Sequence, residues 1–299
     1  MVGEANERGL ASEVAALGAV LGRDVHDATL RLFAAGRHAA DDQAGVHRDL
    51  QYGPHPRQRL TVFASPHRDN GSLPVLVFVH GGGFVQGDTV LPGTPFFDNI
   101  GEFAGEADMV GVNLTYRLSP EARWPSASTD IGTALSWIAR EIDLYGGDPS
   151  NIILMGTSAG AMAILDGLHE FARIAEARVA AVILRSAIYD LSLLREGPLK
   201  EALTLYYGED EALWLSRHDP AALSRATVPV LLTVGQFDPP ALHEQARIGF
   251  GHLLQGAEAH RFALLVGHNH YSVDFAAGSH DRSVDDAMMA FLREAGILQ

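Results

Sequence analysis

The sequence predicts an α/β fold in which a mostly parallel sheet of about eight strands is flanked by helices on both faces. The first observation is a set of short apolar runs, Val75–Val79, Met109–Leu114, Ile152–Met155, Val179–Leu184, Val230–Val234 and Phe262–Val266. The second is what separates them: stretches with helical spacing near 96–106, 126–144, 159–172, 241–255 and 283–295. Apolar runs of this kind read as strands buried on both faces. The third observation is a pair of earlier strand candidates, Asp49–Tyr52 and Arg59–Ala64, around the breaker cluster Gly53-Pro54-His55-Pro56. That arrangement predicts an antiparallel hairpin at the start of the sheet.

Before any strand, Leu10, Val14, Leu17, Val20, Leu21, Val25, Leu30, Leu32 and Phe33 recur at helical spacing. They predict two amphipathic helices acting as a lid, so residues 1–46 are expected to form a helical cap segment and 47–299 the main domain. Residues 188–222, with Tyr206-Tyr207-Gly208, Trp214 and Asp219-Pro220, fit the strand and helix alternation poorly. They are expected to form a cap insertion over the carboxyl edge of the sheet, where open α/β folds place their sites.

Composition narrows the function classes. With 37 acidic against 22 basic residues the formal charge is −15, which opposes tight binding to nucleic acid or an anionic membrane. The absence of cysteine removes disulfides, thiolate metal sites and cysteine nucleophiles. The strongest apolar segments fall far short of the roughly 20 residues that span a bilayer. Met1 to Arg8 lacks the basic start and apolar stretch of a signal peptide, so a cytoplasmic location is expected.

The chemistry is concentrated at predicted strand ends. Gly156-Thr157-Ser158-Ala159-Gly160 follows the run Ile152–Met155 and leads into a helical pattern. A Gly-x-Ser-x-Gly turn between strand and helix lifts a strained serine above the sheet edge, which makes Ser158 the candidate nucleophile. His80-Gly81-Gly82-Gly83-Phe84 follows the run Val75–Val79, and its glycines can offer backbone N–H groups to an oxyanion. The N–H of Ala159, the residue after the serine, would add another. A serine hydroxyl needs a base and a group that orients the base. Asp238 follows Val230–Val234, and His268 and His270 follow Phe262–Val266, giving the order Ser, acid, His. Asp238 is favoured as the acid over a turn-capping role, and His270 over His268 as the base. The alternative that both histidines bind a metal lacks a third ligand cluster. His80 is expected to brace the glycine loop.

These residues resemble the α/β-hydrolase superfamily, and more narrowly the hormone-sensitive-lipase-like carboxylesterases. The resemblance rests on His80-Gly81-Gly82-Gly83, on Tyr116-Arg117-Leu118-Ser119-Pro120-Glu121 with Trp124-Pro125 and Asp130, on Tyr145-Gly146-Gly147-Asp148-Pro149, and on the Ser158 turn. It implies Ser158 as nucleophile, His270 as base and then acid, Asp238 as its orienter, and Gly82, Gly83 and Ala159 as oxyanion donors. Arg117 and Glu121 are expected to form a structural ion pair. Thr157 stands where many relatives carry Asp or Glu. Tyr52-Gly53 with Arg57-Gln58-Arg59-Leu60 also resembles kynurenine formamidase-like and feruloyl-esterase-like hydrolases.

The expected activity is cofactor-independent hydrolysis of soluble short- to medium-chain or aromatic carboxylic esters through an acyl-enzyme. Formamide cleavage is the runner-up, and a non-catalytic ligand receptor is the alternative from another class. Phe84, Tyr271, Tyr206 and Trp214 are expected to touch substrate, with Phe33 and Tyr207 as further candidates for an apolar lining. Relatives often pair through the last helix or edge strand, which makes a homodimer the expected assembly.

Overall fold

A computed structural model describes residues 2–35, 37, 45–64, 72–174, 176–256 and 260–298, with the side chains of 2–8 left aside. Of the expected cap segment 1–46, positions 1, 36 and 38–44 lie outside the described residues. Two helices come first, α1 (Val2–Ala16) and α2 (Arg23–Ala34). The hairpin β1 (Val46–Gln51) and β2 (Arg59–Phe63) follows, closed by the Tyr52 N–H donating to the Gln58 carbonyl at 3.0 Å. Strands and helices then alternate as β3 (Leu73–Val79), α3 (Asp98–Glu106), β4 (Val110–Leu114), α4 (Ser126–Glu141), β5 (Gly147–Thr157), α5 (Ala159–Phe171) and β6 (Val179–Arg185). After β6 the chain makes short 3₁₀ turns around α6 (Pro198–Tyr207) and α7 (Trp214–Arg217). It closes with β7 (Val230–Gly235), α8 (Pro240–Leu253), β8 (Arg261–Leu265), the single turn α9 (Ser272–Phe275) and α10 (Ser283–Glu294).

The eight strands form one sheet in the order β1-β2-β4-β3-β5-β6-β7-β8. β2 runs antiparallel to both neighbours, and every later pairing is parallel. Side chains of the central strands divide between two cores with a period of two. Val75, Val77 and Val79 of β3, Ile152 and Leu154 of β5 and Val182 and Leu184 of β6 pack on the side that holds α4, α5 and α8. Leu76 and Phe78, Ile153 and Met155, and Ala181 and Ile183 pack on the opposite side, against α3 and α10. Burial on both faces is why these strands read as unbroken apolar runs.

A third core docks the amino-terminal helices. Val14 of α1 and Phe33 of α2 pack with Phe96, Leu265, Val273, Phe275 and Val284. The chain departs from expectation at β8. This outermost strand exposes Phe262 (36%) and Leu264 (45%), and Val266 just after it is 64% exposed, so only part of the run Phe262–Val266 is buried. The position explains it, because a strand with a single neighbour is not covered like the central ones. No helix among the described residues is long and apolar enough to cross a membrane.

Candidate active site

β5 ends at Thr157 and α5 begins at Ala159, so the reversal from strand to helix falls on Ser158, at φ 54° and ψ −120°. A conformation of this kind costs on the order of 1–3 kcal/mol and persists only when its surroundings hold it. The Ser158 N–H donates to the Arg185 carbonyl at the end of β6 (2.8 Å), and the Ser158 carbonyl accepts from the Met162 N–H (3.0 Å). The second glycine of the turn is fixed by space. A Cβ on Gly160 would overlap the Val79 carbonyl oxygen and stand 2.6 Å from that of His80.

The loop after β3 lies beside this turn. Gly82 has φ +107°, and a Cβ there would overlap the Gln86 carbonyl oxygen. The loop is braced from beneath by His80, which is 1% exposed. Nδ1 lies 2.7 Å from the Gly81 carbonyl oxygen and donates to it, which leaves Nε2 to accept from the Thr115 hydroxyl at 3.0 Å. Tyr116 stacks on the imidazole with ring centres 4.5 Å apart, and its hydroxyl donates to the His80 carbonyl at 3.0 Å. Arg57 donates to the Tyr116 carbonyl (2.8 Å), the Gly87 carbonyl (2.7 Å) and the Thr115 hydroxyl.

Burial pushes the His80 pKa down to about 4. Between that value and the ordinary histidine range near 6.5, the unfolded chain binds a proton that the folded one refuses. His80 therefore contributes stability that is fully present above pH ~6.5 and lost as pH falls toward 4, amounting to about 3 kcal/mol. Urea unfolding midpoints measured between pH 7 and 4.5 should fall more steeply for the wild type than for His80→Gln.

Arg117 is part of the same brace, with a partner other than the expected one. It binds Asp130 through Nη2 to Oδ1 (2.7 Å) and through its own N–H to Oδ2 (2.9 Å), while Gln58 Nε2 donates to Asp130 Oδ1 at 2.7 Å. Glu121 points outward, its side chain 81% exposed and 3.6 Å from His55 Nε2. Asp130 wins because it faces inward from the first turns of α4, where it is fully buried.

Asp238 and His270 lie beyond the ends of adjacent strands, β7 and β8. Asp238 Oδ2 accepts from the Ser186 hydroxyl (2.5 Å) and the Gly235 N–H (3.1 Å). Its other oxygen, Oδ1, is 3.8 Å from His270 Nδ1, and both of these buried atoms lack a hydrogen-bond partner. Two orphaned atoms so placed, one on a carboxyl and one on an imidazole, are one small movement from bonding. His268 has a different setting. It is fully buried, with Nδ1 3.1 Å from the Ser272 hydroxyl and Nε2 2.8 Å from the Ser283 hydroxyl.

Ser158 and His270 share the wall of a pocket of about 640 Å³ with Gly81, Gly82, Thr157, Tyr271 and Asp274. Ala159 opens α5, so its N–H has no acceptor within the helix. Gly22, Arg23, His26 and Asp27, at the start of α2, complete the mouth. The Tyr271 hydroxyl accepts from the Gly22 N–H at 2.9 Å, tying the helices to the histidine loop.

The model of a family described as alpha/beta hydrolase fold matches residues 76–247, more than half of the chain. The chain belongs to that family. Among curated proteins this alpha/beta hydrolase is 34% identical over 191 residues to a phenmedipham hydrolase of Pseudarthrobacter oxydans, covering 58% of the chain and 36% of that protein. It is 28% identical over 225 residues to an ethyl acetate hydrolase of Pseudomonas putida, covering 69% and 68%. The chain spans about a third of the length of the first curated relatives it matches. A solved bacterial heroin esterase superposes with a TM-score of 0.66 at 25% identity, over 93% of this chain and 91% of that one.

Three of the four expected substrate contacts in this alpha/beta hydrolase are core residues. Phe84 has no exposed surface and stacks on Tyr206 with ring centres 3.8 Å apart. The Tyr206 hydroxyl accepts from the Ala127 N–H at 3.1 Å, and buried Trp214 donates to the Gly208 carbonyl at 2.8 Å. Their aromatic faces are spent on packing 188–222 against the main domain, so none of that segment is among the pocket's described lining residues. Phe33 and Tyr207 are likewise buried. Tyr271 alone of the four lines the pocket. Trp214→Ala is expected to cost about 3–5 kcal/mol of stability while leaving KM for small esters unchanged, measured by urea unfolding and steady-state kinetics.

One residue of the pocket wall and one behind it carry charge that no motif announces. Asp274 is 5% exposed and accepts from the Thr157 hydroxyl at 2.7 Å. Arg185, 1% exposed, reaches it from the end of β6. Neither carries a local motif. The only signal was the presence of charge at positions that the strand and helix patterns place indoors.

Proposed function

We propose that this alpha/beta hydrolase is a serine carboxylesterase that cleaves small carboxylic esters through an acyl-enzyme. The observation that carries the reading is the pocket shared by Ser158 and His270, with buried Asp238 facing the far side of the imidazole at 3.8 Å. Ser158 attacks the ester carbonyl as His270 takes its proton; the alcohol leaves with that proton, and water activated by His270 hydrolyses the acyl-enzyme. Gly82, Gly83 and Ala159 supply N–H groups to the oxyanion, each worth about 3 kcal/mol of barrier. Asp238 closes on His270 as the imidazolium forms, since hydrogen bonds of this kind tighten in the complex.

The names of the relatives, an ethyl acetate hydrolase and a para-nitrobenzyl esterase among them, support ester substrates. The polar mouth built from Arg23, His26 and Asp27 favours soluble substrates over a lipid surface. Tyr52 and Arg57, which suggested formamide chemistry, serve the brace instead: the Tyr52 hydroxyl donates to the Thr115 carbonyl at 2.7 Å.

The test is turnover of p-nitrophenyl esters from acetate to long acyl chains, with N-formylkynurenine alongside. Hydrolysis that is fastest for short chains is the expected result. Formamide cleavage outrunning every ester would replace this reading, and complete inertness would favour a receptor.

A further inference from the structure

The nucleophile turn, the acid and the histidine loop arrive from different strands, and the end of β6, at Arg185 and Ser186, touches all three. Arg185 is among the largest fully buried side chains in the protein. Its carbonyl accepts from the Ser158 N–H (2.8 Å), and the next residue, Ser186, donates its hydroxyl to Asp238 (2.5 Å). Its Nη1 donates to the Val273 carbonyl (3.1 Å) and to Asp274 Oδ1 (3.3 Å). Asp274 Oδ1 also accepts from the hydroxyl of Thr157, the neighbour of Ser158.

A buried guanidinium and carboxylate cost several kcal/mol in desolvation, and apolar side chains of similar volume would pack the same space at least as well. Burial pushes the Asp274 carboxyl up from the ordinary aspartate range, against which Arg185 and the Thr157 hydroxyl act. What an apolar replacement lacks is direction. Hydrogen bonds fix α9 to the last residue of β5, whereas packing alone would let the two slide. Asp274 lies in α9, four residues after His270, so fixing it limits where the histidine loop stands relative to Ser158.

Building on the esterase reading, we propose that Arg185, Asp274 and Thr157 form a clamp that positions the His270 loop against the Ser158 turn. Asp274 is the positioning residue through which the clamp acts on the base. It also lies close enough to His270 for their charges to interact. The groups set around His270 include Asp238 from the β7–α8 loop, Asp274 from α9 with Arg185 behind it, the ring of Tyr271, Ser158, and Arg23, His26 and Asp27 of α2, which line the same pocket.

The test compares wild type, Asp274→Asn, Thr157→Val and Thr157→Ser by p-nitrophenyl acetate kinetics across pH and by the rate of labelling with a fluorophosphonate. Ser158→Ala serves as the blank. Asp274→Asn is expected to lower kcat about 10-fold at unchanged KM and to move the acid limb of the pH profile down by about half a unit. Thr157→Val should lower kcat and the labelling rate in the same direction, and Thr157→Ser should restore both. Wild-type kcat and acid limb in Asp274→Asn and Thr157→Val would overturn the clamp. So would losses that only track the unfolded fraction seen by circular dichroism. A wild type that neither turns over esters nor labels would instead overturn the esterase reading, separately from the clamp. If it labels without hydrolysing esters, the labelling rates of the Thr157 pair decide the clamp alone.

Discussion

Ser158→Ala is expected to lower kcat on p-nitrophenyl acetate by about 10⁵–10⁶-fold with the fold preserved. The size follows from the route rather than from lost contacts. Without a hydroxyl there is no acyl-enzyme, and what remains is attack by water under the oxyanion donors. The fold is preserved because the backbone hydrogen bonds of residue 158 do not involve its side chain: its N–H goes to Arg185 and its carbonyl to Met162. Thermal unfolding and kcat measured on the same preparation check both halves. A variant that keeps roughly a tenth of wild-type turnover would remove Ser158 from the chemistry, since a reaction through the serine loses far more.

Gly160→Ala is expected to destabilise the protein by about 3–5 kcal/mol, a large share of the 5–15 kcal/mol that holds a domain together. The methyl group would overlap the carbonyl oxygen of Val79. That oxygen belongs to backbone between β3 and the glycine loop, so neither partner can move aside as a flexible side chain would. Gly105→Ala is the matching control, because a Cβ there meets nothing within 4 Å. It should leave stability unchanged or raise it by up to about 1 kcal/mol. Denaturant unfolding of the two variants side by side distinguishes a steric cost from a general intolerance of substitution. Equal stability of both would mean that α5 and the end of β3 are farther apart in solution.

The architecture was legible because its signals are local. A strand buried on both faces writes an apolar run into the sequence, as Val75–Val79 and Ile152–Met155 do. A turn that needs two glycines around a serine does the same. Partners set by tertiary packing were not legible. Arg117 had Glu121 nearby in sequence and Asp130 farther on, and only the inward face of α4 decides between them. Phe84, beside the glycine loop, looked like a substrate contact and is instead stacked on Tyr206, which arrives from a distant segment. Asp274 and Arg185 are 89 residues apart, and no spacing rule connects them. The exposure of Phe262 and Leu264 depends on strand order, which a list of strands does not contain.

The mouth of the pocket joins residues 249 positions apart, Gly22 and Tyr271. Val14 and Phe33 likewise rest on Leu265, Val273 and Val284. Made before the surface they cover, these two helices can dock only after β8, α9 and α10 have been made. The central strands can collapse meanwhile on their own cores. The pocket at Ser158 therefore cannot be enclosed before β8 and α9 are in place.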